Sequence, residues 1–198
     1  MATHPTALDR ARLGMTLAQV LDHALPACAE MEYRLVGTAA ALMHGVDLPV
    51  RDLDFLVRER RAVDGFARAL APFECAVAPG WLPDAHQYFA RFVVGGVEVE
   101  FSTVEGEAEG DLSETVGRGP WEHSCRLPCG RHEIAVVALE LRLLTELRRG
   151  RVDRYQPILQ HLRVHGGDLA LVRRGLDHGG LSPDARDQVL RQLAQTPR

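Results

Sequence analysis

Residues 36–57, VGTAAALMHGVDLPVRDLDFLV, decide the predicted fold of this chain and carry its chemistry. The segment DLDFLV alternates as a strand does, so Leu53, Phe55 and Val57 share one face while Asp52 and Asp54 share the other. Two carboxylates about 7 Å apart on one face repel each other, and a shared divalent cation relieves the repulsion. Such hard oxygen ligands suit Mg²⁺ or Mn²⁺. Solvated acids on an exposed strand are the alternative, but the apolar opposite face indicates an internal strand ending beside a cleft.

Gly37 and Thr38 precede this acidic pair by about 15 residues, at a predicted junction between a strand and a helix. Glycine lets a phosphate approach the backbone closely, a helix N-terminus offers N–H donors, and the threonine hydroxyl adds one more donor. A tight turn capped by threonine is the alternative reading.

A second acidic strand is predicted in GVEVEFST, residues 96–103, where Glu98 and Glu100 share one face. A two-metal site for phosphoryl transfer requires a further carboxylate. At least one of the two glutamates is then a solvated residue of an alternating strand.

Together these segments resemble the DNA polymerase β-like nucleotidyltransferase superfamily, in which a strand, a Gly-Gly or Gly-Ser pair and a helix precede an acid-hydrophobic-acid strand and a later third acid. Residues 136–162, VVALELRLLTELRRGRVDRYQPILQHL, are similar to the helical segment of small bacterial nucleotidyltransferases of the abortive-infection toxin type. Glu140, Arg151 and Asp153 stand at matching places. The resemblance covers about residues 16–165.

The resemblance implies that Asp52, Asp54 and Glu100 bind Mg²⁺ or Mn²⁺ and that Gly37 and Thr38 cradle the phosphates of a nucleoside triphosphate. Glu100 is favoured over Glu98 as the third carboxylate because it lies nearer the strand end. A lysine expected in the C-terminal helices is replaced by Glu146, and a later Asp by Gln156, so triphosphate binding is expected to fall to Arg148, Arg149 or Arg151.

The implied activity is transfer of a nucleoside monophosphate from the triphosphate to a hydroxyl group of a small molecule or an RNA end. Two alternatives remain open. One is a toxin-like enzyme that modifies tRNA and is controlled by an antitoxin partner. The other is a non-catalytic nucleotide-binding module of the same fold.

Periodicity predicts an α/β (α+β) fold, with a mixed β-sheet nucleotidyltransferase core flanked by helices in residues 1–133 and a C-terminal helical subdomain in residues 134–198. Helices are expected over residues 16–32, capped by Thr16, and over 38–45 and 60–71. Further helices are expected after about residue 136, with Asp168 and Ser182 as N-caps. Strands are expected at YRLVG, DLDFLV, FECAVA, YFARFVV and VEVEFST, and a hairpin at HSCRLPCGRHEIAVV with its turn at Pro128 to Gly130.

All 23 basic residues are arginines, so a phosphate site must use arginine or backbone amides. Residues 1–141 hold 12 arginines and 21 acidic residues, and residues 142–198 hold 11 arginines and 6 acidic residues. An acidic N-terminal part beside a basic C-terminal part suits a metal site facing a wall that binds phosphate or RNA, although solvated helix faces explain the difference equally well. No apolar run approaches the roughly 20 residues of a membrane span, so a cytoplasmic protein with reduced thiols is expected.

Three other segments contain candidate functional residues. HSCRLPCGRH, residues 123–132, offers His123, Cys125, Cys129 and His132 as zinc ligands, but inward-facing thiols on a hairpin are favoured. Trp81, His86 and Tyr88 could line a pocket for the acceptor or the base. Residues 105–120, acidic and rich in glycine, are expected to form a mobile surface loop.

Overall fold

The structure, a computed structural model, describes residues 10–28, 30–106, 112–178 and 180–194. Its strands form one mixed seven-stranded sheet in the order β3-β4-β5-β2-β1-β7-β6. The strands are β1 (Tyr33–Val36), β2 (Asp52–Val57), β3 (Glu74–Leu82), β4 (Gln87–Val94), β5 (Val97–Val104), β6 (Ser124–Cys129) and β7 (His132–Val137). The helices are α1 (Arg10–Cys28), α2 (Gly37–Met43), α3 (Arg60–Ala69), α4 (Gly119–Glu122), α5 (Leu139–Arg148), α6 (Val152–His165), α7 (Leu169–Asp177) and α8 (Pro183–Ala194).

The acidic strand β2 lies at the centre of the sheet, antiparallel to β1 and parallel to β5. Phe55 of β2 stacks on Phe101 of β5 with ring centroids 5.0 Å apart, and Phe66 of α3 stacks on Phe101 at 4.6 Å. Helix α3 therefore covers this apolar face. Because strand residues alternate between faces, Asp52 and Asp54 lie on the opposite face. The expectation of an internal acidic strand is confirmed.

The C-terminal helices follow the sheet as predicted. Helix α5 is almost entirely buried and packs against α2, α6 and α7. Asp168 caps α7 by accepting a hydrogen bond from the amide of Leu171 at 2.9 Å, and Ser182 caps α8 through the amide of Ala185 at 3.3 Å. A mixed sheet flanked by helices and followed by further helices confirms the predicted fold class. The division after residue 133 stays a prediction, and strand β7 crosses that point.

Several predicted boundaries are wrong. Helix α1 begins at Arg10, so Thr16 is a buried residue within the helix rather than its cap. Strand β3 continues through Leu82 because it pairs with β4 along its length, and only a short 3₁₀ turn, Pro83–Ala85, separates them. Cys129 pairs with His132, so the second hairpin turns one residue later than expected.

The loop expected over residues 105–120 differs from the prediction in the burial of one residue, Glu114. Residues 107–111 lie outside the described part of the chain. Glu114, expected at the surface, is only 3% exposed. Its burial follows from an ion pair with helix α5 that is described below.

None of the described helices has both the length and the apolar character that a bilayer crossing would need.

Candidate active site

The predicted acids converge because β2 and β5 run in parallel with matched register. Asp54 lies beside Glu100, and Asp52 lies beside Glu98. Asp52, Asp54 and Glu100 line one cavity of about 400 Å³. Glu98 is not among the described residues that line it, and its side chain is 52% exposed. The register thus places one glutamate beside each aspartate, and of the two glutamates Glu100 is the one that lines the cavity.

Glu100 is also held by a cation. Arg91 of β4 lies directly opposite Glu100 in the sheet. Its guanidinium contacts Oε1 of Glu100 at 2.6 Å through Nη2 and at 2.8 Å through Nε. Arg91 also approaches Glu98 at 3.5 Å. One arginine thus neutralises part of the charge that β5 brings to the site.

The pKa of Asp54 is raised from 3.8 to about 7. The largest cause is burial of the carboxyl group, followed by the negative charges of Asp52, Glu100 and Glu114. Arg142 opposes the increase. Burial likewise raises the pKa of Glu100, against the effect of Arg91. A cation placed among these groups would lower the pKa of Asp54 and stabilise its ionised form.

The donor chemistry of the site fits a hard divalent cation, since carboxylate oxygens are what Mg²⁺ prefers. The described residues nevertheless contain no group of three Asp, Glu, His or Cys side chains gathered closely enough to hold a metal ion. Asp52 and Asp54 could hold a cation between them. Glu100 lines the same cavity, but its side chain would have to move closer to the aspartates to complete a set of three.

Gly37 brings the backbone of helix α2 against the acidic pair. Its φ is +72°, and a Cβ at this position would lie 2.5 Å from Oδ2 of Asp54. Any larger residue would both clash with the carboxylate and strain the backbone. Gly37 and Thr38 line the same cavity, as the phosphate-cradle prediction requires, and Thr38 is 9% exposed. Whether they contact phosphate stays a prediction.

The same cavity is also lined by a group of arginines, which form its arginine wall. Arg149, Arg151 and Arg154, at and after the turn between α5 and α6, line the cavity, and Arg51 joins them just before β2. Arg148 does not lie among the described lining residues. Its Nη2 donates to the carbonyl oxygen of Leu112 at 3.0 Å. Of the three arginines expected to bind the triphosphate, Arg149 and Arg151 line the cavity and Arg148 is not among the described lining residues.

Beside these arginines lies a buried ion triad that the sequence did not reveal. Arg142 of α5 donates from Nη1 to Oε1 of Glu114 at 2.5 Å and from Nη2 to Oε1 of Glu146. Arg142 and Glu114 are each 3% exposed, and Glu146 is 0% exposed. Arg142 and Glu114 also line the cavity. The spacing of Arg142 and Glu146 by four residues was a visible sign of a helical ion pair, whereas Glu114 carried no such sign.

Other candidates are placed away from the acids. Cys129 is buried but Cys125 is exposed, so only one of the two thiols expected to face inward does so. His132 binds Asp22 rather than a cysteine neighbour, at 2.5 Å from Nε2 to Oδ1. Trp81 is capped by Arg60 with 4.6 Å between the guanidinium carbon and the ring centroid. None of these described residues lines the acidic cavity.

Comparison with known proteins gives the fold and no family. No family model matches the chain, and no curated protein matches it in sequence. Several solved structures match it in three dimensions, among them two nucleotidyltransferase-like proteins. One, a candidate nucleotidyltransferase from Thermotoga maritima, is 17% identical with a TM-score of 0.54, over 81% of this chain and 98% of that one.

A second match is an antigenic nucleotidyltransferase-like protein from Paracoccidioides brasiliensis, 15% identical with a TM-score of 0.52, over 94% of this chain and 95% of that one. The chain has a nucleotidyltransferase-like fold. At 17% and 15% identity, the structural similarity shows a shared fold only.

Proposed function

We propose that this protein is a metal-dependent nucleotidyltransferase that moves a nucleoside monophosphate from a nucleoside triphosphate to a hydroxyl acceptor. The observation that carries the proposal is that Asp52 and Asp54 line one cavity together with the arginines at and after the α5–α6 turn. One Mg²⁺–nucleoside triphosphate could then contact both groups: the carboxylates suit Mg²⁺ or Mn²⁺, and the arginine side chains suit the phosphates.

Each wall has its own part in the proposed reaction. Arg149, Arg151 and Arg154 bind the β- and γ-phosphates through charge-assisted hydrogen bonds and so orient the triphosphate. Asp52 and Asp54 would hold the cation, which supplies charge neutralisation at the α-phosphate. The acceptor oxygen forms a bond to the α-phosphorus as the bond to the leaving pyrophosphate breaks, and the arginine wall holds the departing group.

The role of the Glu100 carboxylate distinguishes an enzyme from a protein that only binds nucleotide. As a third carboxylate beside Asp54 it would help to accept the proton of the acceptor hydroxyl. Its Oε1 contacts with Arg91 favour the alternative, a non-catalytic module that binds nucleotide without transferring it. Acceptor identity, whether a small molecule or an RNA end, and an antitoxin partner stay predictions.

The first experiment measures binding of Mg²⁺–ATP and the other Mg²⁺–nucleoside triphosphates by calorimetry, followed by transfer assays with labelled nucleotide. Asp54→Asn is expected to weaken binding at least about tenfold, since it removes a charged ligand. Asp187→Asn, a change at an exposed residue of α8, is the matched control. Equal affinity of wild type and Asp54→Asn would show that the site is wrongly assigned. Binding without transfer to any hydroxyl or RNA acceptor would leave the non-catalytic module.

A second experiment tests the arginine wall. Arg154→Gln is expected to weaken ATP binding by about tenfold and AMP binding much less, because the lost guanidinium contacts the outer phosphates. Arg173→Gln, on the exposed face of α7, is the control. An equal loss for ATP and AMP would contradict this placement of the triphosphate.

A further inference from the structure

The segment of residues 112–118 reaches from the surface into the arginine wall. Its Glu114 is 3% exposed, and its Thr115 lines the cavity beside it. Two contacts shape the segment near its start: Nη2 of Arg148 donates to the carbonyl oxygen of Leu112, and the amide of Thr115 donates to Oγ of Ser113 at 3.3 Å. The segment therefore carries one acidic side chain to a fixed place on α5.

Glu114 is a second carboxylate for an arginine that already has one. Helix α5 supplies Arg142 with Glu146 one turn later, so that pair is complete without the 112–118 segment. With Glu114 added, three buried side chains carry two negative charges and one positive charge. Within the described structure, Oε2 of Glu114, Oε2 of Glu146 and Nε of Arg142 are buried without a hydrogen-bond partner. Buried polar atoms left in this way cost free energy, so the contact of Glu114 is poorly satisfied.

Arg142 also belongs to the surface that the triphosphate would use. It lines the cavity together with Arg149, Arg151 and Arg154, yet it is 3% exposed because Glu114 and Glu146 enclose its guanidinium. Arginine binds carboxylate and phosphate oxygens with the same planar arrangement of donors. The Glu114 carboxylate consequently occupies the donors that a phosphate entering this side of the cavity would take.

We propose that Glu114 is an internal competitor of phosphate for Arg142, and that phosphate binding releases the 112–118 segment from the arginine wall. This inference rests on the proposed function and extends it: Arg142 becomes a further phosphate ligand, and entry of the nucleotide is coupled to movement of one segment. Release of Glu114 leaves Arg142 paired with Glu146, so the guanidinium keeps a buried partner throughout.

The test uses inorganic tripolyphosphate and Mg²⁺–ATP as probes of the full chain. Glu114→Gln keeps the shape of the side chain and removes its charge, and it is expected to bind tripolyphosphate about tenfold more tightly than wild type. Glu133→Gln, at an exposed position of β7 outside the 112–118 segment, is the matched control. Unchanged or weaker binding by Glu114→Gln would overturn the proposal, and weaker binding would show that Glu114 positions Arg142 for phosphate.

Hydrogen exchange of the wild-type protein provides a readout that needs no variant to fold. Saturating tripolyphosphate is expected to increase amide exchange in residues 112–118, and protection or no change there would overturn the proposal. The outcomes separate the two proposals. Equal binding by wild type and Glu114→Gln leaves the proposed function standing and removes the competition. Failure of both proteins to bind either probe removes the arginine wall as a phosphate site, and the proposed function with it.

Discussion

Replacing Asp54 by asparagine is expected to stabilise the protein above pH 7 while changing its stability little near pH 4. Burial, with Asp52, Glu100 and Glu114, raises the pKa of Asp54 from 3.8 to about 7. Between these values the folded protein keeps a proton that the unfolded chain has released, so the free energy of unfolding falls as the pH rises through this window. The two pKa values differ by about 3 pH units at about 1.4 kcal/mol each, so the loss reaches up to about 4 kcal/mol.

Asparagine resembles the protonated acid and does not ionise, so the variant escapes this loss. Urea unfolding of wild type and Asp54→Asn between pH 4 and pH 8.5, without divalent cations, measures the difference directly, because the other titrating groups largely cancel. The advantage of the variant should grow with pH and level off above about pH 8. Mg²⁺ added at pH 8 should then stabilise wild type and not the variant, since a ligand stabilises the state that binds it.

Two results would refute this reasoning. A difference in unfolding free energy that stays flat with pH would show that Asp54 has an ordinary pKa and that the carboxylates are well solvated. A variant less stable than wild type at pH 8 would show that the ionised carboxylate makes favourable contacts that outweigh the repulsion. Asp187→Asn, at an exposed position, should show no pH-dependent difference and controls for the substitution itself.

Two further predictions concern the neighbours of the aspartate pair. Gly37→Ala is expected to lower the free energy of unfolding by about 1–3 kcal/mol, because the backbone at residue 37 has a φ of +72° and the added Cβ would clash with the carboxylate of Asp54. Gly14→Ala, in open space within α1, should instead raise it by about 0.5–1 kcal/mol, and equal effects in urea unfolding would contradict both assignments. Arg91→Gln should release Glu100 and increase Mg²⁺ affinity by up to about fivefold in calorimetry, so weaker binding would show that Arg91 orients Glu100 for the cation.

The acidic half of the site could be predicted because its signals are local. The alternation of DLDFLV fixes which face of β2 carries Asp52 and Asp54, and a central strand needs its other face apolar. The choice of Glu100 over Glu98 rested on a position near the strand end, whereas Glu100 lies in the middle of β5; its role as third carboxylate stays a prediction, and it is the glutamate that lines the cavity with the aspartates. The caps at Asp168 and Ser182 were equally local, since each side chain bonds an amide three residues later.

The basic half depended on contacts that no local pattern records. Glu114 and Arg142 are 28 residues apart, and the composition around Glu114 is that of an exposed loop. Its burial is decided by one ion pair with a different element, against the preference of its neighbours. Arg148 and Arg151 looked equivalent in sequence, but the end of α5 directs Arg148 toward Leu112 while the turn at Gly150 brings Arg151 to the cavity.

The substitution that seemed to weaken the site, Glu146 in place of an expected lysine, has a structural consequence. Glu146 is fully buried, binds Arg142 one turn earlier on α5 and lies 3.9 Å from Arg151 on the cavity side. A buried glutamate needs such partners, and Glu146 has two arginines beside it. Asp52, Asp54 and Glu100 of the cavity lie on the sheet, Glu114 lies on the 112–118 segment, and four of the five described arginines that line it belong to α5, α6 and the turn between them. The proposed site therefore needs both the sheet and the C-terminal helices.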